Sequence, residues 1–528
     1  MRKIKLTFIL MALMFGNAHS QTVTIDNVLN LRSAKSSGEI IKNKKIVGYY
    51  VFFFKEKVDK KNSAYEVQTF DDNYNPVKSF EITRPKNTIF VEMVFNGTVF
   101  MFHFYDKKSG FEFVTYNVNG EKMGSYSIPA KELTLADKSR IPQSPESAES
   151  LSYIYSVGNE GFIRSTFSKN KKLGYELVKF DNNARKVWSV DSPEDSKEIE
   201  MIDISDVNEN ITIGVITRKS SLFTKSFDVF GVLINSKNGK IIKEIAMGSD
   251  GKGRKSMLKS FISEQNSSVS IIGEFYKPKD DIMKDRSAGL YIQEFSFTGE
   301  LLSTTEYKWK GSFDKFKQSN LSAEDKEDDK RPYHIFFHNV IQAKNGNIIL
   351  VGEQFLKQVS AGAMAGKFVS AALGGSSNSS AFEILVGNMV VIEFNSEKDL
   401  IGYDIVQKKK THVFLPEGYG TVNTLVLGQI LKAYGDFGYS FTSSDYENDK
   451  HDIVYIDADR KEEKGAKKSD QMIGVISVRD SKVETSRTPL NCESKYYWMQ
   501  PAKPGFISVG EYNKKEKQIE LRLETISY

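Results

Sequence analysis

The chain has 528 residues, 40% of them hydrophobic and 27% charged, so it can bury a large core and is not disordered by composition. Its 73 Lys and Arg stand against 68 Asp and Glu, a formal charge of +5 that supplies no broad basic face for nucleic-acid phosphates. The single cysteine, Cys492, excludes an intramolecular disulfide framework and reads as a small packed residue beside Tyr496, Tyr497 and Trp498.

In chain order, residues 1–20 predict a secretory signal peptide. Arg2, Lys3 and Lys5 precede an apolar run over 6–16, and Ala18 and Ser20 place small side chains before a cleavage at Gln21. That run is shorter than the ~20 residues needed to span a bilayer, and no later stretch reaches ~18 unbroken apolar positions. No cysteine follows it, so a lipid anchor is not expected. Cleavage lowers the formal charge from +5 to +2, because the removed segment holds three basic residues and no acid. The mature chain, 21–528, is expected to be exported to the periplasm or the medium, soluble and monomeric.

One strand-turn-strand unit recurs along the mature chain. Its first half is a polar turn entering an apolar strand, as at Asn43, Asn96, Asn159, Asn208, Asn266, Asn345, Gly435 and Gly505. Its second half alternates apolar and acidic residues: Tyr65-Glu66-Val67, Phe111-Glu112-Phe113, Tyr175-Glu176-Leu177, Phe227-Asp228-Val229 and Ile519-Glu520-Leu521. Turns such as 71–73, Asn119-Gly120, 181–183, Asn238-Gly239 and Thr298-Gly299 then lead into a further strand. Asn, Asp and Gly suit them because they tolerate positive φ. Spacings run from 49 residues (Asn159 to Asn208) to 90 (Asn345 to Gly435); the short ones match a four-stranded propeller blade. Strands such as 46–54, apolar at nearly every position, have neither face in water, as in a blade packed between two others. The fold class is therefore all-β, a propeller of seven or eight four-stranded blades in a single domain. The last unit ends after its Glu-bearing strand, and residues 22–31 are predicted to return and complete it, which removes an exposed sheet edge.

One insertion breaks the pattern, within 357–387. Its centre, 360–380, is dominated by Ala, Gly and Ser, with Met364, Phe368 and Leu373 its largest apolar side chains. It reads as an excursion beyond the blades, either a short helix docked through small residues or a Gly/Ser linker.

Catalytic signatures are missing. No Gly-x-Ser-x-Gly elbow, phosphate-binding loop or His-Glu-x-x-His occurs, and Gly251-Lys252-Gly253-Arg254 reads as a basic turn. His334 and His338 are the only close histidines of the mature chain. On the strand predicted for them they share one face around Phe336, ~13 Å apart, too far to share one metal ion. Asp206-x-Asn208-x-Asn210 and Asp71-x-Asn73-x-Asn75 imitate calcium loops, but Ile211 and Pro76 stand where glycine is required; both read as hairpin turns. The acidic run 324–329 and the basic clusters at Lys408-Lys409-Lys410 and at Lys514, Lys515 and Lys517 read as solvated turns. No catalytic residue, cofactor site or metal site is assigned.

Residues 353–355 (Glu-Gln-Phe), the Ala/Gly-rich insert, the strand 390–394 and the segment 414–418 (Phe-Leu-Pro-Glu-Gly) resemble an uncharacterised family of exported bacterial propeller-like proteins. The resemblance spans nearly the whole mature chain; it implies a single repeated β unit and carries no activity. Two functions fit. The first is a non-enzymatic binding or scaffolding protein with an unknown protein or glycan partner outside the cytoplasm. The second is a hydrolase of glycan or peptide with carboxylates converging at the ring mouth.

Overall fold

The computed structural model describes residues 22–31, 37–42, 44–134, 137–138, 141–142, 153–169, 173–221, 228–247, 255–280, 286–316, 333–359, 379–416, 424–458 and 471–526. Eight antiparallel sheets form a ring, a β-propeller of eight blades, which settles the blade count at the upper of the two values expected. The first blade shows the plan: Ser37–Lys42 innermost, then Lys45–Lys57, Asn62–Asp71 and Pro76–Pro85 outermost.

The apolar second strands are explained by what lies on each side of a blade. In the first blade Tyr50, Phe52 and Phe54 pack towards the second blade, against Phe90, Met93, Phe100 and Phe102. The alternate residues Tyr49, Val51 and Phe53 pack the other way, against Leu521 and Leu523 of the eighth blade. A period of two thus feeds two cores, and the strand reads as a continuous apolar run. The same arrangement repeats at every seam of the ring, from blades one and two round to eight and one. Each buried Phe or Tyr on such a strand contributes about 1.5–3 kcal/mol relative to exposure.

Ring closure follows the sequence reading. Thr22–Ile25 pairs antiparallel with Gln518–Thr525, Thr22 opposite Arg522 and Ile25 opposite Ile519. Beyond it Val28 is fully buried, and Tyr512 Oη donates to the carbonyl of Val28 at 3.2 Å. Seven of the eight turns expected between first and second strands occupy that position. The seventh differs: Gly435 precedes the first strand, Tyr439–Asp445, and the equivalent turn is 446–449. A helix, α1 (Thr424–Tyr434), ends at Gly435, whose φ of 71° continues the chain after it, and this glycine imitates a hairpin signal.

Neighbouring blades also grip each other through the turns between third and fourth strands. Gly239 of the fourth blade has φ 75°, and a Cβ there would lie 2.8 Å from the Trp188 ring of the third. Next to it the Ser236 carbonyl accepts from Trp188 Nε1 at 3.1 Å and from Lys179 Nζ at 3.0 Å. A Gly239→Ala variant should lose about 1–3 kcal/mol of stability, from positive-φ strain and the clash together. Urea unfolding measures it; an unchanged midpoint would mean that the turn does not hold this seam.

On the outermost strands an extra residue is bulged at Val77, Met123, Val187, Ile242, Leu302 and Ile401. Such bulges twist an open edge away from pairing with a second chain. The hairpin periodicity gave no sign of them.

The insertion departs from its expected bounds. Ile348–Val359 and Ser379–Phe394 of the sixth blade are paired as far as Val359 and Phe382, so both ends of the 357–387 segment continue the blade's hairpin. Thr411–Pro416 joins the overhang as a further strand, and the central part, 360–378, lies outside the described residues. So do the signal segment, 251–254 and the acidic run 324–329.

Candidate functional site

The inner strands carry a device that periodicity alone did not show. In the second, fourth, fifth, sixth and seventh blades the ladder between first and second strands slips by one residue, at Val91, Ser205, Leu258, His338 and Ser440. The residue after the slip is Glu92, Asp206, Lys259, Asn339 or Phe441. Equivalent positions on the innermost strands therefore hold an acid, an acid, a base, an amide and a ring. Asp206 and Asn339 tie down their own bulges: each Oδ1 accepts the next backbone N–H at 2.9 Å.

Asp206 also lines a pocket of about 500 Å³ at the end of the channel where first and second strands turn. Asn208, Glu264, Gln342, Lys44 and Tyr446 share the lining, drawn from the fourth, fifth, sixth, first and seventh blades. Asp206 Oδ2 accepts the Ile262 N–H of the next blade at 3.0 Å. Burial pushes its carboxyl up to about 6, opposed by the two amide donors and reinforced by the charge of Glu264. Asn208 caps the turn, with Oδ1 accepting from Asn210 and Ile211 at 2.9 Å, while Nδ2 reaches Glu264 at 3.4 Å. Both calcium-like segments are hairpin turns; Asp71 Oδ1 takes the N–H groups of Asn73 and Asn75 in the same way.

One wall of the pocket is a clasp across the mouth. Lys44 lies 5.7 Å from the Tyr446 ring centroid, and Lys45 Nζ lies 2.6 Å from Glu447 Oε1. These link the first blade to the seventh, over the eighth between them. Asp449 anchors the same turn to the sixth blade, accepting from the backbone of Lys344 at 2.7 Å. Exposed pairs of this kind are worth ~0–1 kcal/mol and weaken with salt.

At the opposite end, α1 covers the sixth-blade overhang, packing Leu427 and Leu431 on Phe355, Ile384 and Val386. Beneath it lies the most enclosed charge of the described residues. Glu353 is 0% exposed; its oxygens accept from Gly438 N at 3.0 Å, Tyr439 N at 3.1 Å and Lys408 Nζ at 2.8 Å, with His338 Nε2 at 3.4 Å. Burial would raise its carboxyl, but the Lys408 ammonium and His338 overcome that and hold it below the usual carboxylate range. His338 is itself held below its usual value by burial, against the pull of Glu353. Lys408 thus leaves the solvated turn expected for Lys408-Lys409-Lys410, whereas Lys514, Lys515 and Lys517 are exposed as expected.

The histidines are not gathered. His334 and His338 lie on one strand as predicted, His334 against Phe355 and His338 between Glu353 and Tyr439. His103 is buried against Phe111 and Phe113, His412 faces Glu383, and His451 faces Ser444 and Asp449. Cys492 packs with Tyr497 and Met499, and Arg522 reaches its Sγ at 3.6 Å. Among the described residues no group of three or more His, Cys, Asp or Glu is placed to hold a metal ion. No helix among them is long and apolar enough to cross a membrane.

A Gly-Glu pair recurs on second strands at 273–274, 352–353 and 510–511, and the structure gives it a building role. Glu511 accepts the Glu493 and Ser494 N–H groups at 2.9 Å, as Glu353 accepts those of Gly438 and Tyr439. Glu274 takes Ser287 Oγ at 2.7 Å. The repeat was visible in the sequence, and its purpose of fixing loops was not.

The chain belongs to a family of unknown function, DUF6770, whose model matches residues 1–527. No curated protein matches it. Among solved structures it is similar to the dihydro-heme d1 dehydrogenase NirN in complex with DHE, at 9% identity and TM-score 0.38, covering 88% of this chain and 72% of that one. It is also similar to the WD40 domain of SCAP from fission yeast, at 11% identity and TM-score 0.24, covering 82% and 95%. Prolyl oligopeptidase B from Galerina marginata is similar at 8% identity and TM-score 0.29, covering 85% and 47%. Enzymes and non-enzymes stand side by side at these low similarities, which carry no argument about activity.

Proposed function

We propose that this member of a family without an assigned activity is an exported, monomeric, non-enzymatic binding protein whose axial pocket takes a glycan segment. The observation that carries the reading is the pocket lining. Tyr446 stands at the mouth beside Lys44, while the Glu264 carboxylate and the Gln342 side-chain carbonyl offer acceptors to hydroxyls. A volume of about 500 Å³ falls in the range of small-ligand sites. Export is supported by the pattern of residues 1–20, and a monomer by the ring's closure on its own first strand.

The carboxylates speak for holding rather than for proton transfer. Asp206 has a pKa near that of a general acid, yet backbone donors occupy both of its oxygens, and those donors favour the ionised form. A hydrolase would need that proton directed at a leaving group.

The test is a glycan array followed by calorimetry on the mature chain. Saccharide binding is expected, weakened about tenfold or more by Glu264→Ala, since a hydrogen bond to a charged group is worth ~1.5–3 kcal/mol. Gln342→Ala should weaken it less. No saccharide binding, or binding indifferent to both variants, overturns the reading. Turnover of the bound glycan that disappears in Asp206→Asn would favour the hydrolase.

A further inference from the structure

We propose that the loops of the eighth, first and second blades, at the end of the ring opposite the glycan pocket, form a docking surface for an anionic phospholipid bilayer. The near balance of charge along the chain does not hold there. Turns between second and third strands and links between successive blades all emerge at this end, whereas the pocket is framed by turns at the other. Over residues 26–31, 56–62, 86–88, 106–110, 493–496 and 513–518 they present ten lysines against six acids. All ten lysines are exposed, and none forms an ion pair among the described residues. Two of the acids are held by their own turns. Asp59 Oδ1 accepts from Lys61 N at 2.6 Å and Asn62 N at 2.8 Å, and Asp106 Oδ1 from Lys108 N at 2.8 Å and Ser109 N at 2.9 Å.

Hydrogen bonds join these loops into one surface. Val28 N–H donates to the Lys517 carbonyl at 2.8 Å and Leu29 N–H to the Phe54 carbonyl at 3.0 Å, so two successive residues tie the eighth-blade turn to the first-blade hairpin. Lys86 N–H donates to the Lys61 carbonyl at 2.7 Å, which brings the link to the second blade against the same hairpin. On the other side Ser494 Oγ donates to the Tyr512 carbonyl at 2.6 Å, and the Tyr496 and Tyr512 rings lie 6.4 Å apart.

Two exposed apolar side chains among the lysines single out the partner. Val58, between Lys57 and Lys60, is 52% exposed, and Tyr496, next to Lys495, is 48% exposed. Such a surface suits the headgroup layer of an anionic bilayer, where ammonium groups meet phosphates while an aliphatic tip and a tyrosine ring enter the interface. A nucleic acid or another soluble polyanion would engage the lysines and leave Val58 and Tyr496 in water. The lysines are also spread over three blades instead of converging on a pocket, which fits a planar partner.

The surface does not depend on the glycan reading, so its probe is a vesicle alone. Flotation of the mature chain would be measured with vesicles of phosphatidylcholine and with vesicles of an equal mixture of phosphatidylcholine and phosphatidylglycerol. Wild type should float with the mixture and not with phosphatidylcholine, and about 1 M sodium chloride should release it, because the screening length falls to ~3 Å. The triple variant Lys57→Glu, Lys60→Glu, Lys61→Glu should bind at least ~tenfold more weakly, since each lysine near an anionic leaflet adds to the attraction. Lys237→Glu, Lys240→Glu, Lys243→Glu makes the same change of charge at the pocket end of the fourth blade and should bind as wild type. Both triple variants should keep the wild-type unfolding midpoint, because all six side chains are exposed. Val58→Ser combined with Tyr496→Ser should weaken vesicle binding severalfold and leave retention on a heparin column unchanged. No binding to the mixture, or equal losses in the two triple variants, would overturn the proposal. Vesicle binding indifferent to the Val58 and Tyr496 changes would overturn it too, in favour of a soluble polyanion.

Discussion

A chain beginning at Ser37, with residues 21–36 of the mature chain removed, should lose ring closure and associate. Gln518–Thr525 would then be unpaired along its whole outer edge, losing the partner that Thr22–Ile25 now gives to Ile519, Glu520, Leu521 and Arg522. The seam between the eighth and first blades would also lose Ile25 and Val28, 2% and 0% exposed, together worth about 3–6 kcal/mol of burial. Two further ties go with them, from Tyr512 Oη to the Val28 and Leu29 carbonyls. The contacts that remain at this seam run directly between the blades. Lys503 N–H donates to Tyr49 Oη at 3.1 Å, and Tyr74 Oη bonds Ser508 Oγ. Light scattering should show dimers or larger species, and a synthetic peptide of residues 22–31 should return the chain to a monomer and raise its midpoint. A truncated chain that stays monomeric and equally stable would mean that the direct contacts suffice. A point variant, Ile25→Asp, tests the same seam without shortening the chain and should cost several kcal/mol through a buried unpaired carboxylate.

How much of this was legible in the sequence depends on the range of the interaction. Strand alternation and Asn/Gly turns are local chemistry, so the blades and the returning first strand could be read directly. The seventh turn failed for a local reason too: α1 and its terminal Gly435 break the repeat immediately before the blade begins. The bulges at Ser205, Leu258 and His338 could not be read, because a slip depends on both strands of a ladder and leaves no consistent residue type behind. The pocket is more remote still. Its lining comes from five blades, so Lys44 and Tyr446 approach each other across some 400 residues of sequence and only because the ring closes. Lys408 shows the converse error. A run of three lysines reads as solvated, and the acid that buries the first of them lies more than fifty residues away.

Replacing Glu353 with Gln should be the most damaging single change in the interior, at about 3–5 kcal/mol, because it leaves the Lys408 ammonium buried without its counter-charge. Gln keeps one carbonyl oxygen for the Gly438 and Tyr439 N–H groups and turns an amino group towards Lys408 in place of the second. Lys408→Met alone should also destabilise, since Glu353 would keep its amides and lose its cation. The double variant, Glu353→Gln with Lys408→Met, should cost clearly less than the two singles added, with a coupling of about 1–3 kcal/mol. Additive losses would mean that the two charges do not act as a pair.

The pH dependence gives a second, independent reading of the same cluster. Glu353 is held below its usual carboxylate value in the folded chain, so the unfolded chain binds its proton first as the pH falls. Its contribution is complete above about 4.5 and is lost as the pH drops towards the folded value. His338 acts in the same direction at higher pH. Its folded pKa lies below 6.5, so below that value the unfolded chain takes up a proton that the folded chain refuses. Asp206 runs the other way: its folded pKa of about 6 lies above its unfolded 3.8, so deprotonation costs stability as the pH rises between them. Urea unfolding of wild type from pH 8 to 4 should therefore fall in two stages, below 6.5 and again below 4.5, with the first partly offset by Asp206. Glu353→Gln should flatten the second stage and leave the Asp206 contribution in place. An unchanged acid limb in Glu353→Gln would assign that limb to other carboxylates and deny Glu353 its electrostatic role.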